Sequence, residues 1–443
     1  MKQLYNERRD EMHDLEKICE YTLQRAKEAG ADKAHCSAAK GEKREFNVDG
    51  GRFTLMRTLY DNALALSVIT GKKRGSVSVN RLDSDAVEKA VSDAMEIALA
   101  GEPDEAFDIA PYAGEHEFTE GCPDGDIEKL FERASELLAE VGRRHPRIIV
   151  EQMIVTHSRT SRVYMNTSGS LFRTLKGAYS VELMYSAHEG EESTSFFSTG
   201  AVTGDLSVPF INFGSIEQDL ADVEAQLGPI TLEGKFVGCA LMPPGCLSSF
   251  ISDIADNFAS DMSLLDGTSI WKDSLRKQVA DPRITIKIDP LAPEIVCGER
   301  YTSEGFISEP YYFIKDGVLE SFMLSLYAAN KTGRERAKNS SFSLIVREGE
   351  DSLQSIIAGI DRGILVGRFS GGEPGASGDF SGVAKNSFLI ENGRITKPLS
   401  EVMISGNLAS MLNSVRGISR ERVLDGSSAL PYMAFDGITI AGK

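Results

Sequence analysis

The chain has 443 residues, 41 % of them apolar and 26 % charged, which is the balance of an ordinary globular protein with enough length to bury a core in two or three domains at roughly 100–200 residues each. Lys plus Arg number 48 and Asp plus Glu 66, and a net charge of −18 repels the phosphate backbone, so direct nucleic-acid binding is not expected. No window approaches the roughly 18 uninterrupted apolar residues of a membrane span, and the first ten residues lack the apolar stretch of a secretory signal, so no membrane partner is expected either. Six cysteines (Cys19, Cys36, Cys122, Cys239, Cys246, Cys297) are scattered without a short pair, which fits reduced thiols in a cytoplasmic protein.

In chain order, Leu15, Ile18, Cys19, Thr22, Leu23 and Ala26 predict a first helix over 12–29, stopped at Gly30. Strands follow from about Ala34 to Val79, punctuated by Asp49-Gly50-Gly51 and Thr70-Gly71-Lys72, with the basic run Lys72-Lys73-Arg74 read as a solvated hairpin turn. Asp85 with Glu88 has the form of a capping box, opening a helix with the stripe Val87, Ala90, Val91, Ala94 and Ala98. Residues 101–125 read as a connector. Ile127, Leu130, Phe131, Ala134, Leu137, Leu138 and Val141 then predict an amphipathic helix. Strands are expected over Ile148–Thr156, Ser161–Asn166 and Leu171–Tyr185.

Arg57-Thr58-Leu59 recurs as Arg173-Thr174-Leu175, each after a glycine turn. Two related helix-plus-hairpin units and chance likeness between β-rich segments account for this equally. Gly228-Pro229 marks a boundary. Beyond it come a strand at Lys235–Leu241, a helix with the apolar face Leu247, Phe250, Ile251, Ile254, Ala255, Phe258, Ala259 and Met262, and a mostly β region from Ile284. Asp316-Gly317 and Asn392-Gly393 are two-residue hairpin turns, Gly367–Gly382 is a long loop, and the apolar tail 432–442 is a strand. The fold class is α+β. The N-terminal α/β domain, 1–228, is built of helix-plus-antiparallel-sheet units (1–110 and 120–228). A mostly β C-terminal domain with one long amphipathic helix spans 229–443.

The chemistry is sparse. The six histidines are His13, His35, His116, His145, His157 and His188. Zinc hydrolases place two imidazoles at helical spacing. Neither His116-Glu117 nor His188-Glu189, both in polar, loop-like context, has a second His three to five residues on. Gly375-Ala376-Ser377-Gly378-Asp379 has the outline of a nucleophile elbow, but no later His completes a triad. No phosphate loop is formed at Gly71-Lys72-Lys73. Cys239 and Cys246 lack a neighbouring base. No catalytic or metal residue is therefore assigned.

Taken together, the segments resemble the TldD/PmbA family, in which PmbA is also called TldE. Its members carry the label of DNA gyrase modulators and are associated with metal-dependent proteolysis. The resemblance rests on Ala31-Asp32, Gly71-Lys72-Lys73-Arg74-Gly75, Phe313-Ile314-Lys315-Asp316-Gly317-Val318-Leu319, Gly375-Ala376-Ser377-Gly378-Asp379-Phe380, Ile390-Glu391-Asn392-Gly393-Arg394-Ile395, Ile404-Ser405-Gly406-Asn407-Leu408 and Asp436-Gly437-Ile438-Thr439-Ile440-Ala441-Gly442. The TldD branch carries a helical His-Glu-x-x-x-His motif that holds zinc. The corresponding helix here, Cys246 to Ser260, contains neither His nor Glu, as in the PmbA/TldE branch.

The resemblance implies a non-catalytic subunit of a TldD/TldE-type metalloprotease, with zinc in a TldD-like partner, an unfolded peptide as substrate, and a heterodimer or homodimer. Ser377, Gly378, Asp379, Phe380, Gly406 and Asn407 are the candidate peptide or subunit contacts. Tight turn packing is the competing reading of the same residues. Two alternatives stay open: a stand-alone metallopeptidase with Cys239, Cys246 and Asp253 as ligands, and a non-enzymatic peptide-binding scaffold. With so acidic a chain, any link to gyrase would run through proteolysis of a regulator.

Overall fold

Leu15, Cys19 and Ala26 recur at helical spacing and are buried along one side of helix α1 (Lys2–Glu28). The structure is a computed structural model that describes residues 2–442, with side chains from Asp10 onward. Helix α1 leads into a long hairpin of β1 (Lys33–Asp49) and β2 (Arg52–Thr70), extended by β3 (Lys73–Val79). Helix α2 (Ser84–Ala100) and strand β4 (Glu115–Gly121) follow. The same order then recurs: helix α3 (Ile127–Arg144), a hairpin of β5 (Ile148–Asn166) and β6 (Leu171–Glu189), and helix α4 (Ile216–Glu224).

The two hairpins join antiparallel through β1 and β5, giving the order β3-β2-β1-β5-β6-β4. Side chains alternate across a sheet, and the apolar set lies on one face. Ala34, Cys36, Ala38, Leu64, Leu66 and Val68 pack with α1 and α2. Phe46, Val48, Val155, Val181 and Leu183 pack with α3 and α4. Among the described residues, none of these four helices packs on the opposite face, which turns toward the C-terminal half.

That half is built on a thirteen-stranded mixed sheet. Strand Ala429–Ala441 pairs antiparallel with Lys235–Met242 and touches Leu344–Val346 in parallel. Helix α5 (Pro244–Ala259) lies on it, burying Leu247, Phe250, Ile251, Ile254 and Phe258. Each such side chain contributes roughly 1.5–3 kcal/mol by leaving water. Phe250 meets Phe369 and Phe380 at ring-centroid distances of 5.1 Å, which fixes the helix against the sheet.

Both two-residue turns form, with Asp316 and Asn392 at positive φ beside their glycines. Other expectations need correction. The 101–125 connector contains β4, which pairs in parallel with β6, so His116-Glu117 and His188-Glu189 lie in strands rather than loops. Helix α2 is capped by Asp83, whose carboxylate accepts from Ala86 N at 3.2 Å, while Glu88 is drawn to Arg25 at 2.6 Å. The 148–166 segment is one strand, not two. Helix α5 stops at Ala259 because Ser260 turns extended and caps a separate short helix, Asp261–Leu265, leaving Met262 69 % exposed. Gly367–Gly382 is a hairpin, Arg368–Gly371 paired with Asp379–Lys385, rather than one loop. Short helices at Leu326–Thr332, Leu353–Ala358 and Leu408–Leu412 interrupt the β-rich half.

Candidate functional site

Helix α5 is the element to which the resemblance assigns the zinc motif of the TldD branch. Its apolar side is sunk in the core, and Ser249, Ser252, Asp253, Asp256 and Asn257 lie on the other side. Burial pushes the Cys246 thiol up to about 12. Burial, with Asp256 and Glu373 nearby, also raises Asp253. Cys239 is pushed up to about 12 as well, and it belongs to a different core cluster from Cys246. Zinc needs thiolates, neutral imidazoles or carboxylates converging on one point. Among the described residues no group of three or more His, Cys, Asp or Glu side chains is so arranged. The residues present do not fit a zinc ion, and the set Cys239, Cys246 and Asp253 does not converge.

The glycine hairpin lies over α5. Ser377 Oγ donates to Asp379 Oδ2 at 2.8 Å. Asn407 Nδ2 donates to Ser377 O and to Asp379 Oδ1, both at 2.9 Å. These bonds hold the Asp379 carboxyl below its ordinary range. Asn407 also caps the helix Leu408–Leu412 through Ser410 N at 3.1 Å, and Leu408 N donates to Gly378 O at 2.8 Å. Gly378 adopts φ +86°, and an added Cβ would sit 2.6 Å from Phe258 Cζ. The structure thus brings Ser377, Gly378, Asp379 and Asn407 into one network. Phe380 is buried in the core, and Gly406 packs on its ring. Ser377 meets a carboxylate and no imidazole, so its hydroxyl fastens the turn.

A cleft lies elsewhere. The helix-free face of the N-terminal sheet opposes loops of the C-terminal half, with Tyr164 Oη donating to Glu304 O at 2.8 Å and Lys176 Nζ donating to Gly298 O at 2.6 Å. Between them runs a cleft of two cavities of about 760 and 580 Å³ that share Arg162, Tyr301, Ser303 and Ser340. His35, Arg74 and Arg336 line the larger one. Burial, helped by Arg74, holds the His35 imidazole down to about 4, so it is neutral at pH 7. Sequence reading missed this site. Arg162 and Tyr164 alternate with the buried Val163 and the half-buried Met165, a parity that marks a second face of the strand but not what covers it.

Comparison with known proteins places these features among relatives. The family model for the PmbA/TldA metallopeptidase C-terminal domain matches residues 239–442. The Metalloprotease PmbA homolog of Haemophilus influenzae is 25 % identical over 402 residues, covering 85 % of this chain and 86 % of that protein. In fold, the chain is similar to TldE from Thermococcus kodakarensis, with a TM-score of 0.83 and 19 % identity over 97 % of this chain and 100 % of that one. It is also similar to a Bacteroides thetaiotaomicron protein carrying the DNA-gyrase-modulator label, with a TM-score of 0.84 and 23 % identity over 97 % and 99 % of the two chains.

Proposed function

Because the chain belongs to the PmbA/TldD family, we propose that it is a TldE-like subunit which borrows its cleavage chemistry from a TldD-like metalloprotease partner and helps to hold unfolded peptide. The observation that carries this reading is helix α5. At the position where the family's zinc motif would lie, it offers a thiol held protonated and carboxylates that repel each other, and no imidazole. Cleavage by the lone chain would need a Lewis acid that these side chains do not assemble. The sheet edges support the peptide-handling part, since every extended peptide offers the same N–H and C=O groups to an open edge.

The test is reconstitution. Purified alone, the chain should hydrolyse no unstructured peptide. Co-expressed with a sister chain bearing His-Glu-x-x-x-His, it should co-elute with that chain and raise its peptidase activity. A stoichiometric transition metal on the isolated chain, lost in Cys246→Ser together with peptide turnover, would refute the reading and revive the stand-alone metallopeptidase.

A further inference from the structure

The smaller cavity of the cleft, about 580 Å³, gathers positive charge in a chain of net −18. Its floor is the cleft face of β5 and β6. In the register of that pair Arg162 lies opposite Thr174, and Thr160 lies opposite Lys176. All four side chains therefore share one face, and Arg162 and Lys176 are diagonal neighbours. Positions so related lie roughly 7–8 Å apart, within reach of long side chains. Both residues line the cavity. Burial holds the Lys176 ammonium below its ordinary value, and the Arg162 charge pushes it the same way.

The donors of this pair are only partly used. Lys176 Nζ donates to Cys297 O at 3.1 Å and Gly298 O at 2.6 Å, which ties the loop above to the sheet and leaves a third N–H. Arg162 is exposed and makes neither a hydrogen bond nor an ion pair among the described residues. The hydroxyls of Thr160 on the floor and Ser303 on the loop side line the cavity and make no hydrogen bond among the described residues. Glu120 and Glu299 pull Lys176 toward its charged form, but both are already engaged. Glu120 pairs with Arg300 at 2.6 Å. Glu299 accepts from Ser308 Oγ at 2.6 Å and Ser340 N at 2.9 Å. Two cations thus stand side by side, and neither has a carboxylate in ion-pair range among the described residues.

We propose that this cavity binds the phosphoryl group of a small phosphate monoester, held by Arg162 and Lys176 from the sheet and by Ser303 from the loop side. Donors on two opposed walls suit a tetrahedral dianion, whose oxygens leave any one plane. A planar carboxylate would be satisfied by the Arg162 fork alone. A guanidinium fork and an ammonium point charge both serve phosphate. A volume of about 580 Å³ exceeds what a free phosphate fills and lies among small-molecule sites, so the rest of the ester has room. Tyr301 and Phe342 line the same cavity and offer that remainder aromatic surface. A polynucleotide also carries phosphates, but the net charge of the chain opposes a polyanion. This site goes beyond the partner-subunit reading and does not depend on it.

The test is isothermal titration calorimetry of the full chain with phenyl phosphate, inorganic phosphate and benzoate at fixed ionic strength. Phenyl phosphate should bind about tenfold or more tightly than benzoate, which carries the same ring on a carboxylate, and at least as tightly as inorganic phosphate. Arg162→Gln should weaken phenyl phosphate about tenfold or more. Because Arg162 bonds to nothing else, the variant should melt with the native chain. Lys176→Gln should weaken binding similarly. Should that variant fail to fold, since Lys176 also ties down the loop, Arg162→Gln decides by itself. Arg74→Gln, on β3 in the larger cavity, should leave binding unchanged. Benzoate bound as tightly as phenyl phosphate would overturn the proposal. So would undiminished binding by Arg162→Gln, tighter binding of inorganic phosphate than of the ester, or tighter binding of a single-stranded oligonucleotide.

Discussion

Asp219 on α4 shows how burial sets the behaviour of a single group. Its carboxyl accepts from Ser215 Oγ and Thr199 Oγ1, both at 2.6 Å, yet burial outweighs these bonds and raises it to about 6 from an ordinary 3.8. The folded state therefore holds a proton that the unfolded state releases. The stabilising contribution is full below about pH 4 and lost as pH rises through about 6. Asp219→Asn should melt higher than the native chain at pH 7.5, with the advantage vanishing near pH 4 in thermal melts. The Tyr185 hydroxyl is buried without a hydrogen-bond partner among the described residues. Tyr185→Phe should consequently be neutral or stabilising, by up to about 1 kcal/mol in denaturant titrations. Gly378→Ala meets both a left-handed backbone and the Phe258 ring. It should cost roughly 1–3 kcal/mol and loosen the Asp379–Asn407 network.

Among the elements, β2 stands out by what it leaves uncovered. β3 pairs with its residues 64–70, so 52–63 form an edge with no second strand partner among the described residues. Phe53, Leu55, Met56, Leu59 and Tyr60 are exposed along it, Met56 by 67 % and Tyr60 by 75 %. A long apolar edge invites another chain unless something covers it. Under the proposed pairing with a sister subunit, Met56→Lys with Tyr60→Lys should weaken co-elution without changing the melt of the isolated chain. Unchanged co-elution would place the partner elsewhere. In α5 the same arithmetic runs inward. Ile254 is buried in the C-terminal core, and Ile254→Ala should cost about 2–5 kcal/mol by chemical denaturation.

For the whole molecule, the placement of two sheets matters more than any one motif. The N-terminal sheet gathers its helices on one face and turns the other toward loops of the C-terminal half, and the cleft exists because these two surfaces meet. The hydrogen bonds from Tyr164 and Lys176 to the backbone of those loops, and the ion pair of Lys331 with Asp104 at 2.6 Å, hold the cleft walls together. Tyr164→Phe removes one of these ties while keeping the ring. It should leave global stability within about 1 kcal/mol but speed hydrogen exchange in residues 301–306, measured by mass spectrometry.

The amino-acid order alone determined the α+β class, the helices around Leu15, Val87, Leu130 and Phe250, the two positive-φ turns and the absence of imidazole in α5, because periodicity, turn chemistry and residue identity are local properties. It also carried the family resemblance, since those turns and strands recur in fixed order. Only the tertiary structure decided that β4 lies beside β6, that Cys239 and Cys246 point into separate cores, and that Phe380 is interior. It alone brought Arg74 and Arg162, 88 positions apart, to one cleft with Glu304. Strand pairing and the packing of two sheets depend on contacts between distant residues, and alternation along a strand gives two faces without saying which is buried or by what.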